Sequence, residues 1–158
     1  MQSTGTPPVR ETRETRDRYA HLSSIDTRWM DNDAYGHVNN VVYYSYFDTV
    51  VNTYLIGRRA LDIQASAVIG LVVETACQYF APLTYPETVT AGLRVAHVGR
   101  SSVRYEIALF AEGSDVAAAQ GHFVHVYVDR ATQRPAELPP ALRHALEPLQ
   151  VRPTEETP

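Results

Sequence analysis

The sequence contains no lysine: all 14 of its basic residues are arginine. That excludes a Schiff-base amine and the lysine of a P-loop. Cysteine occurs once, at Cys77, which excludes an internal disulfide, a cysteine-rich zinc site and an iron–sulfur cluster. No apolar run approaches the roughly 18 residues of a membrane-spanning helix. The first residues lack the charged-then-apolar pattern of a secretion signal. These absences predict a soluble, cytoplasmic protein. An excess of positive charge is missing too: the formal net charge is −4, so neither a nucleic acid nor an anionic membrane is an expected partner.

What is present suits one globular domain. The 158 residues have room for one sizeable core. Ten tyrosines against four phenylalanines suit a sheet with half-buried faces. Residues 1–18 are polar, mixed in charge and carry Pro7-Pro8; they read as a disordered tail. Glu11, Glu14 and Asp17 argue against a targeting peptide there, because such peptides are poor in acids. Residues 150–158 read as a second tail, leaving 19–149 as the domain.

The periodicity changes once along the chain. Tyr19 to Met30 alternates loosely and predicts a first strand. Asp31 to Gly36 is a turn cluster of Asp, Asn and Gly. From Val38 to Ile56, apolar or aromatic residues recur at 42, 43, 46, 47, 50, 51, 54 and 55, the three-and-four spacing of an amphipathic helix. Asn39 and Asn40 stand where an N-cap belongs, and Gly57 where a C-cap belongs. Four strand-like runs follow, at 68–80, 89–98, 102–110 and 116–128, the last three forming an antiparallel meander. Pro139 to Glu147 is a short terminal helix. A helix with one apolar side must bury it, and one curved antiparallel sheet wrapped around it does so. The pattern therefore predicts an α+β fold.

Chemistry-bearing side chains crowd the turn before the helix: Asp31, Asp33, His37, Asn39 and Asn40 fall within ten residues. A helix start offers unbonded N–H groups and a positive partial charge. A carboxylate beside it could attack, or activate water against, a carbonyl whose oxygen rests on those groups. The same residue types are also the commonest turn and cap residues, so residue type alone leaves both readings open.

The segment Asp31-Asn32-Asp33-Ala34-Tyr35-Gly36-His37-Val38-Asn39-Asn40, then Tyr43 and Tyr46-Phe47-Asp48, closely resembles a known signature. It is the D-x-D-x-x-G-H-V-N-N-x-x-Y-x-x-Y-F-E pattern of the hotdog-fold acyl-CoA thioesterases of the 4-hydroxybenzoyl-CoA thioesterase type. Tyr79-Phe80-Ala81-Pro82-Leu83, Gly99-Arg100-Ser101-Ser102-Val103 and the run from Val128 to Pro135 resemble further family segments. The likeness covers about residues 19 to 147. Asp48 departs from the usual Glu and is given no catalytic part.

The resemblance implies a hotdog fold: a five-stranded antiparallel sheet around one long helix. It implies a homodimer with sheets joined edge to edge, or a homotetramer, with each site between subunits and no cofactor. Asp33 matches the acid that acts as nucleophile or general base toward an acyl-CoA or acyl carrier protein thioester. Asp31 is read as a turn residue, and His37 as orienting water or the carbonyl. N–H groups near His37 and Val38 would form the oxyanion site. Asn39 would bond the turn or the substrate, Asn40 would be a cap, and Tyr43 could border the acyl pocket. Arg100, Arg130 and Arg134, with Ser101, are candidates for coenzyme A phosphates, since guanidinium matches phosphate geometry. Elsewhere, Cys77 and Glu74 read as ordinary strand residues. His122 and His125, three apart on one strand, point to opposite faces and make a poor metal pair. Two rival functions share the fold: a dehydratase or hydratase on 3-hydroxyacyl thioesters, and a non-catalytic acyl-thioester-binding domain.

Overall fold

The computed structural model describes residues 12–150 of the chain. Strands β1 (His21–Asp26), β2 (Val68–Tyr79), β3 (Thr88–Val98), β4 (Ser102–Phe110) and β5 (Ala119–Asp129) form one antiparallel sheet in the order β1-β3-β4-β5-β2. The long helix α1 (Val42–Gly57) packs on one face, and a short helix α2 (Pro140–Leu146) closes one end. This is the α+β, helix-in-sheet arrangement that the periodicity predicts. The meander β3-β4-β5 is present, and β2 returns to the far edge beside β5.

The core lies between α1 and the inner face of the sheet. Tyr43, Tyr46, Phe47, Val50, Val51, Tyr54 and Leu55 are buried, seven of the eight helix positions expected from the spacing. Each contributes about 1.5–3 kcal/mol through burial. Phe47 sits at the closest approach: its ring meets Phe123 edge-on at 5.7 Å and faces Gly121. A Cβ at Gly121 would come within 2.0 Å of the Ala76 carbonyl oxygen and 2.9 Å of the Phe47 ring. Only glycine fits there, and Phe47→Ala would cost about 3–5 kcal/mol.

The helix boundaries differ from the expected ones for visible reasons. Val38 and Asn39 do not open the helix, because the Val38 N–H donates to the Leu83 carbonyl and the Asn39 N–H to the Asp31 carbonyl. These bonds hold Val38 and Asn39 out of the helix; Asn40 and Val41 then make a turn, and Val41 takes the N-cap place with no side-chain cap. At the other end Gly57 stays helical. Arg59 (φ 56°) takes the left-handed position instead. Its N–H bonds the Ile56 carbonyl and that of Ala60 bonds Leu55, the paired closure of a Schellman motif. The expected first strand stops at Asp26, and Trp29–Asp31 forms one tight 3-10 turn instead.

The N-terminal segment was expected as a tail over residues 1–18, but its last part has a seat on the outer face of the sheet. Arg13 donates to the Ala117 carbonyl, the Glu14 N–H to Gln120, and Arg16 to the Ser114 carbonyl and to Thr90. Tyr19 lies against Gly92, which has no room for a Cβ beneath that ring. The remainder of that stretch, residues 1–11, and residues 151–158 of the second expected tail lie outside the described residues.

Candidate active site

The two acids of the Asp-x-Asp turn have different environments. Asp31 is buried, 1% exposed. Its Oδ1 accepts from the Arg28 guanidinium at 2.9 and 3.0 Å, and its Oδ2 from the Arg28 N–H and the Tyr46 hydroxyl at 2.8 and 2.7 Å. Burial works to raise its pKa, yet these donors outweigh burial and leave it below the ordinary carboxylate range. Both oxygens of Asp31 are thus spent on holding the turn. Asp33 is half-buried. Its Oδ1 accepts from the Tyr35 N–H at 2.8 Å and, at 3.4 Å, from that of His37. Its Oδ2 has no partner among the described residues.

The donors at the helix entrance can be counted one by one. The Val38 and Asn39 N–H groups are occupied, and the Val41 N–H bonds the Asn39 side-chain oxygen at 3.2 Å. The His37 N–H is turned back toward Asp33. The Asn40 N–H has no acceptor among the described residues, and Asn40 is exposed. Of the donors expected near His37 and Val38, the Val38 N–H is occupied and the Asn40 N–H is left without an acceptor among the described residues. The His37 side chain is exposed beside this turn, while Val38 and Tyr43 are buried. Tyr43 lies edge-on to Tyr79, with ring centroids 4.8 Å apart, and the Tyr79 hydroxyl donates to the Asn40 carbonyl at 2.8 Å. Nothing in the sequence linked Tyr79 to this turn. The bond depends on the placement of β2 beside the start of α1.

The candidate phosphate ligands are elsewhere in the chain. Arg100 and Ser101 occupy the turn between β3 and β4, and Arg134 lies just beyond β5. Both arginines are exposed. The helix entrance contacts Leu83, at the opposite end of the sheet. The length of β3 separates the two ends, on the order of 30 Å at 3.3 Å per residue. Arg130 is committed to the loop between α1 and β2, donating to the carbonyls of Ser66 and Ile63 at 2.8 and 2.7 Å.

Other polar groups are remote from the entrance. His122 meets Glu74 at 2.6 Å on the outer face, beside a polar hollow of about 360 Å³. The charges around that hollow are already paired, Arg94 with Glu14 and Glu106, and Arg104 with Glu106. His125 faces the core, so the two histidines do point to opposite faces. Cys77 is half-buried, and burial pushes its thiol up to about 11; it stays protonated at neutral pH. Among the described residues no three His, Cys, Asp or Glu side chains group as a metal site, and no helix is long and apolar enough to cross a membrane.

Residues 27–146 match the thioesterase-like superfamily. The chain belongs to that superfamily. The thioesterase-like chain also resembles solved structures. The PA5185 protein of Pseudomonas aeruginosa is 57% identical over 88% of this chain and 97% of its own, with a TM-score of 0.86. A Thermus thermophilus thioesterase, solved with coenzyme A and zinc, is 31% identical over 87% of this chain and 99% of its own, with a TM-score of 0.71. A 1,4-dihydroxy-2-naphthoyl-CoA thioesterase of Synechocystis, at 16% identity over 79% of this chain and 93% of its own, has a TM-score of 0.72 and shares the fold. No curated protein matches the chain. The expected hotdog fold is thus the fold observed, and thioester hydrolysis is the activity that membership supports. The 4-hydroxybenzoyl-CoA type is a finer assignment than these likenesses carry.

Proposed function

We propose that this thioesterase-like chain hydrolyses acyl-CoA thioesters, as the 4-hydroxybenzoyl-CoA type does, with Asp33 as the reacting carboxylate. The observation that carries this reading is the division of labour in the Asp-x-Asp turn. Asp31 is fully consumed by Arg28 and Tyr46, whereas Asp33 keeps one carboxylate oxygen free beside the helix start. The Asn40 N–H, without an acceptor among the described residues, would receive the thioester oxygen as negative charge builds on it.

Two routes use these groups. In one, the Asp33 carboxylate attacks the carbonyl carbon, the C–S bond breaks, the thiolate leaves, and water hydrolyses the resulting anhydride. In the other, Asp33 takes a proton from water, the hydroxide attacks, and the proton passes to the departing sulfur. Both use Asp33 as the carboxylate anion. In this reading His37 orients the water, and the Asn39 side chain holds the turn through Val41.

The remote arginines support a site shared between subunits. Edge strand β2 exposes Leu71, Val72 and Val73, and such an edge is a liability unless covered. Antiparallel pairing of two β2 strands would bring the Arg100, Ser101 and Arg134 end of one chain toward the Asp33 end of the other. A homodimer, or a homotetramer of two such pairs, follows as the proposed assembly, with coenzyme A phosphates on the partner's arginines.

The test is a thiol-release assay over a panel of acyl-CoA thioesters, and one acyl carrier protein thioester, with absorbance followed at the enoyl band. Thiol release supports the proposal. A change in enoyl absorbance without thiol release would select a hydratase or dehydratase. Tight binding with neither signal would select a non-catalytic binding domain.

A further inference from the structure

Asn40 lies between two peptide planes that are both pinned, and its N–H belongs to the first. In the plane joining Asn39 to Asn40, the carbonyl accepts from the Val42 N–H at 2.9 Å. In the plane joining Asn40 to Val41, the Val41 N–H bonds the Asn39 side chain at 3.2 Å. The carbonyl of that second plane accepts from the Tyr79 hydroxyl at 2.8 Å. Two of these three bonds are local to the turn. The third comes from the end of edge strand β2, 39 residues further along the chain. Tyr79 is in turn braced by its edge-on contact with the buried Tyr43 ring.

We infer that Tyr79 is a positioning residue for thioester cleavage: through the Asn40 carbonyl, its hydroxyl holds the Asn40 N–H aimed at the thioester oxygen. The inference rests on the proposed role of Asn40 as oxyanion donor. A donor of this kind is effective because it is aimed in advance and need not reorganise as charge develops. Residues before the first helical turn lack intrahelical bonds, so a bond from outside the turn, added to the local ones, fixes the plane next to the Asn40 N–H and with it the direction of that group. The hydroxyl proton of Tyr79 is spent on Asn40 and is not offered to substrate. Losing it would leave the two Asn40 peptide planes held only by the bonds local to residues 39–42. The neutral carbonyl of the bound substrate would register little of this, and the charged transition state much more.

The test uses Tyr79→Phe, which keeps the ring against Tyr43 and removes only the hydroxyl. With the best acyl-CoA substrate, kcat should fall about tenfold, the worth of one hydrogen bond in the transition state, with KM unchanged. The second readout is a spectroscopic one. Acetonyl-dethio-coenzyme A, in which a methylene replaces the thioester sulfur, is labelled with ¹³C at its carbonyl and bound to each protein. Wild type should move that resonance downfield of the free analogue. Tyr79→Phe should return it most of the way while binding the analogue equally well. A full downfield shift retained in the variant overturns the role of Tyr79 alone. No shift in wild type overturns the oxyanion reading and this inference together. Loss of analogue affinity in Tyr79→Phe would make Tyr79 a binding group, which also overturns the inference. If Tyr79→Phe does not fold, 3-fluorotyrosine at position 79, a stronger donor, decides the matter: a further downfield shift supports the role and an unchanged one overturns it.

Discussion

The Tyr46 hydroxyl donates to the Asp31 carboxylate at 2.7 Å, from the inner side of α1 back to a turn fifteen residues earlier. Together with Arg28, it converts one acid of the Asp-x-Asp pair into a structural anchor and leaves the other for chemistry. Asp31→Ala should therefore leave the buried Tyr46 hydroxyl without its acceptor, costing about 1–3 kcal/mol in urea unfolding. Asp33→Asn should change stability by less than about 0.5 kcal/mol, as a surface substitution does. It should cut kcat by roughly 10²-fold. If Asp31→Asn instead abolished turnover while Asp33→Asn hydrolysed acyl-CoA normally, the assignment of the two acids would be reversed.

The routes available to Asp33 differ in where oxygen goes. In a single turnover in ¹⁸O-labelled water, direct attack by water places label in the first acid product. Attack by Asp33 leaves that product unlabelled and puts label into the Asp33 side chain. Mass spectrometry of product and peptide distinguishes them, and the proposal expects one of these two patterns. Label in neither would mean that the acyl group was passed to another acceptor.

Much of this architecture was legible in the sequence, and the exceptions have physical causes. The apolar spacing from 42 to 55 identified the buried side of α1 because a helix must bury its stripe. The start of α1 was misplaced because Asn39 and Asn40 are good caps by type. The bonds that hold Val38 and Asn39 out of the helix come from Leu83 and Asp31, and tertiary partners leave no periodic trace. Gly57 was the natural C-cap, yet the left-handed position fell to Arg59, two residues later. The seat of residues 13–18 was missed because a polar, charged segment can dock by side-chain bonds to a polar sheet face. The free Asn40 N–H appeared only after its neighbours were accounted for.

Arg100 and Arg134 have exposed side chains, whereas Arg130 is bound to the carbonyls of Ser66 and Ile63. Arg100→Ala and Arg134→Ala should raise KM for acyl-CoA with kcat nearly unchanged, since remote uniform binding is lost. That loss should shrink as salt is added. Arg130→Ala should lower thermal stability, through the loop between α1 and β2 that it holds, instead of acting on KM. Steady-state kinetics at two salt concentrations check all three. If Arg100→Ala and Arg134→Ala both leave KM unchanged, the phosphate arm does not lie on these arginines.

The β2 edge gives an assembly prediction. Val73 is 60% exposed at the register shift between Val72 and Glu74, in the middle of a strand whose free side pairs with no strand among the described residues. Sedimentation at micromolar concentration should show a dimer or larger. Val73→Asp should shift the protein toward monomer and lose activity in parallel, because each site would lose the arginine end of its neighbour. An active monomer would contradict the shared site.

His125 provides the clearest pH effect. It is 5% exposed, ringed by Tyr105, Phe123 and Tyr127, and its Nε2 has no hydrogen-bond partner among the described residues. Burial lowers its pKa to about 4, against a smaller opposing pull from the Asp48 charge. In the unfolded chain the same ring takes up its proton near 6.5. Between these values the unfolded state binds more protons, so stability is full above about pH 6.5 and is lost as the pH falls toward 4. The slope is about 1.4 kcal/mol per pH unit for one proton. His21, whose pKa is also lowered by burial and then by Arg58, adds to the same window, so wild type alone does not isolate His125. The difference between wild type and His125→Leu does. Urea unfolding at a series of pH values should show the wild type losing stability relative to His125→Leu below pH 6.5 and holding a constant difference above it. A difference that stays flat down to pH 4 would mean that the folded ring is protonated as readily as the unfolded one, with its buried Nε2 finding an acceptor.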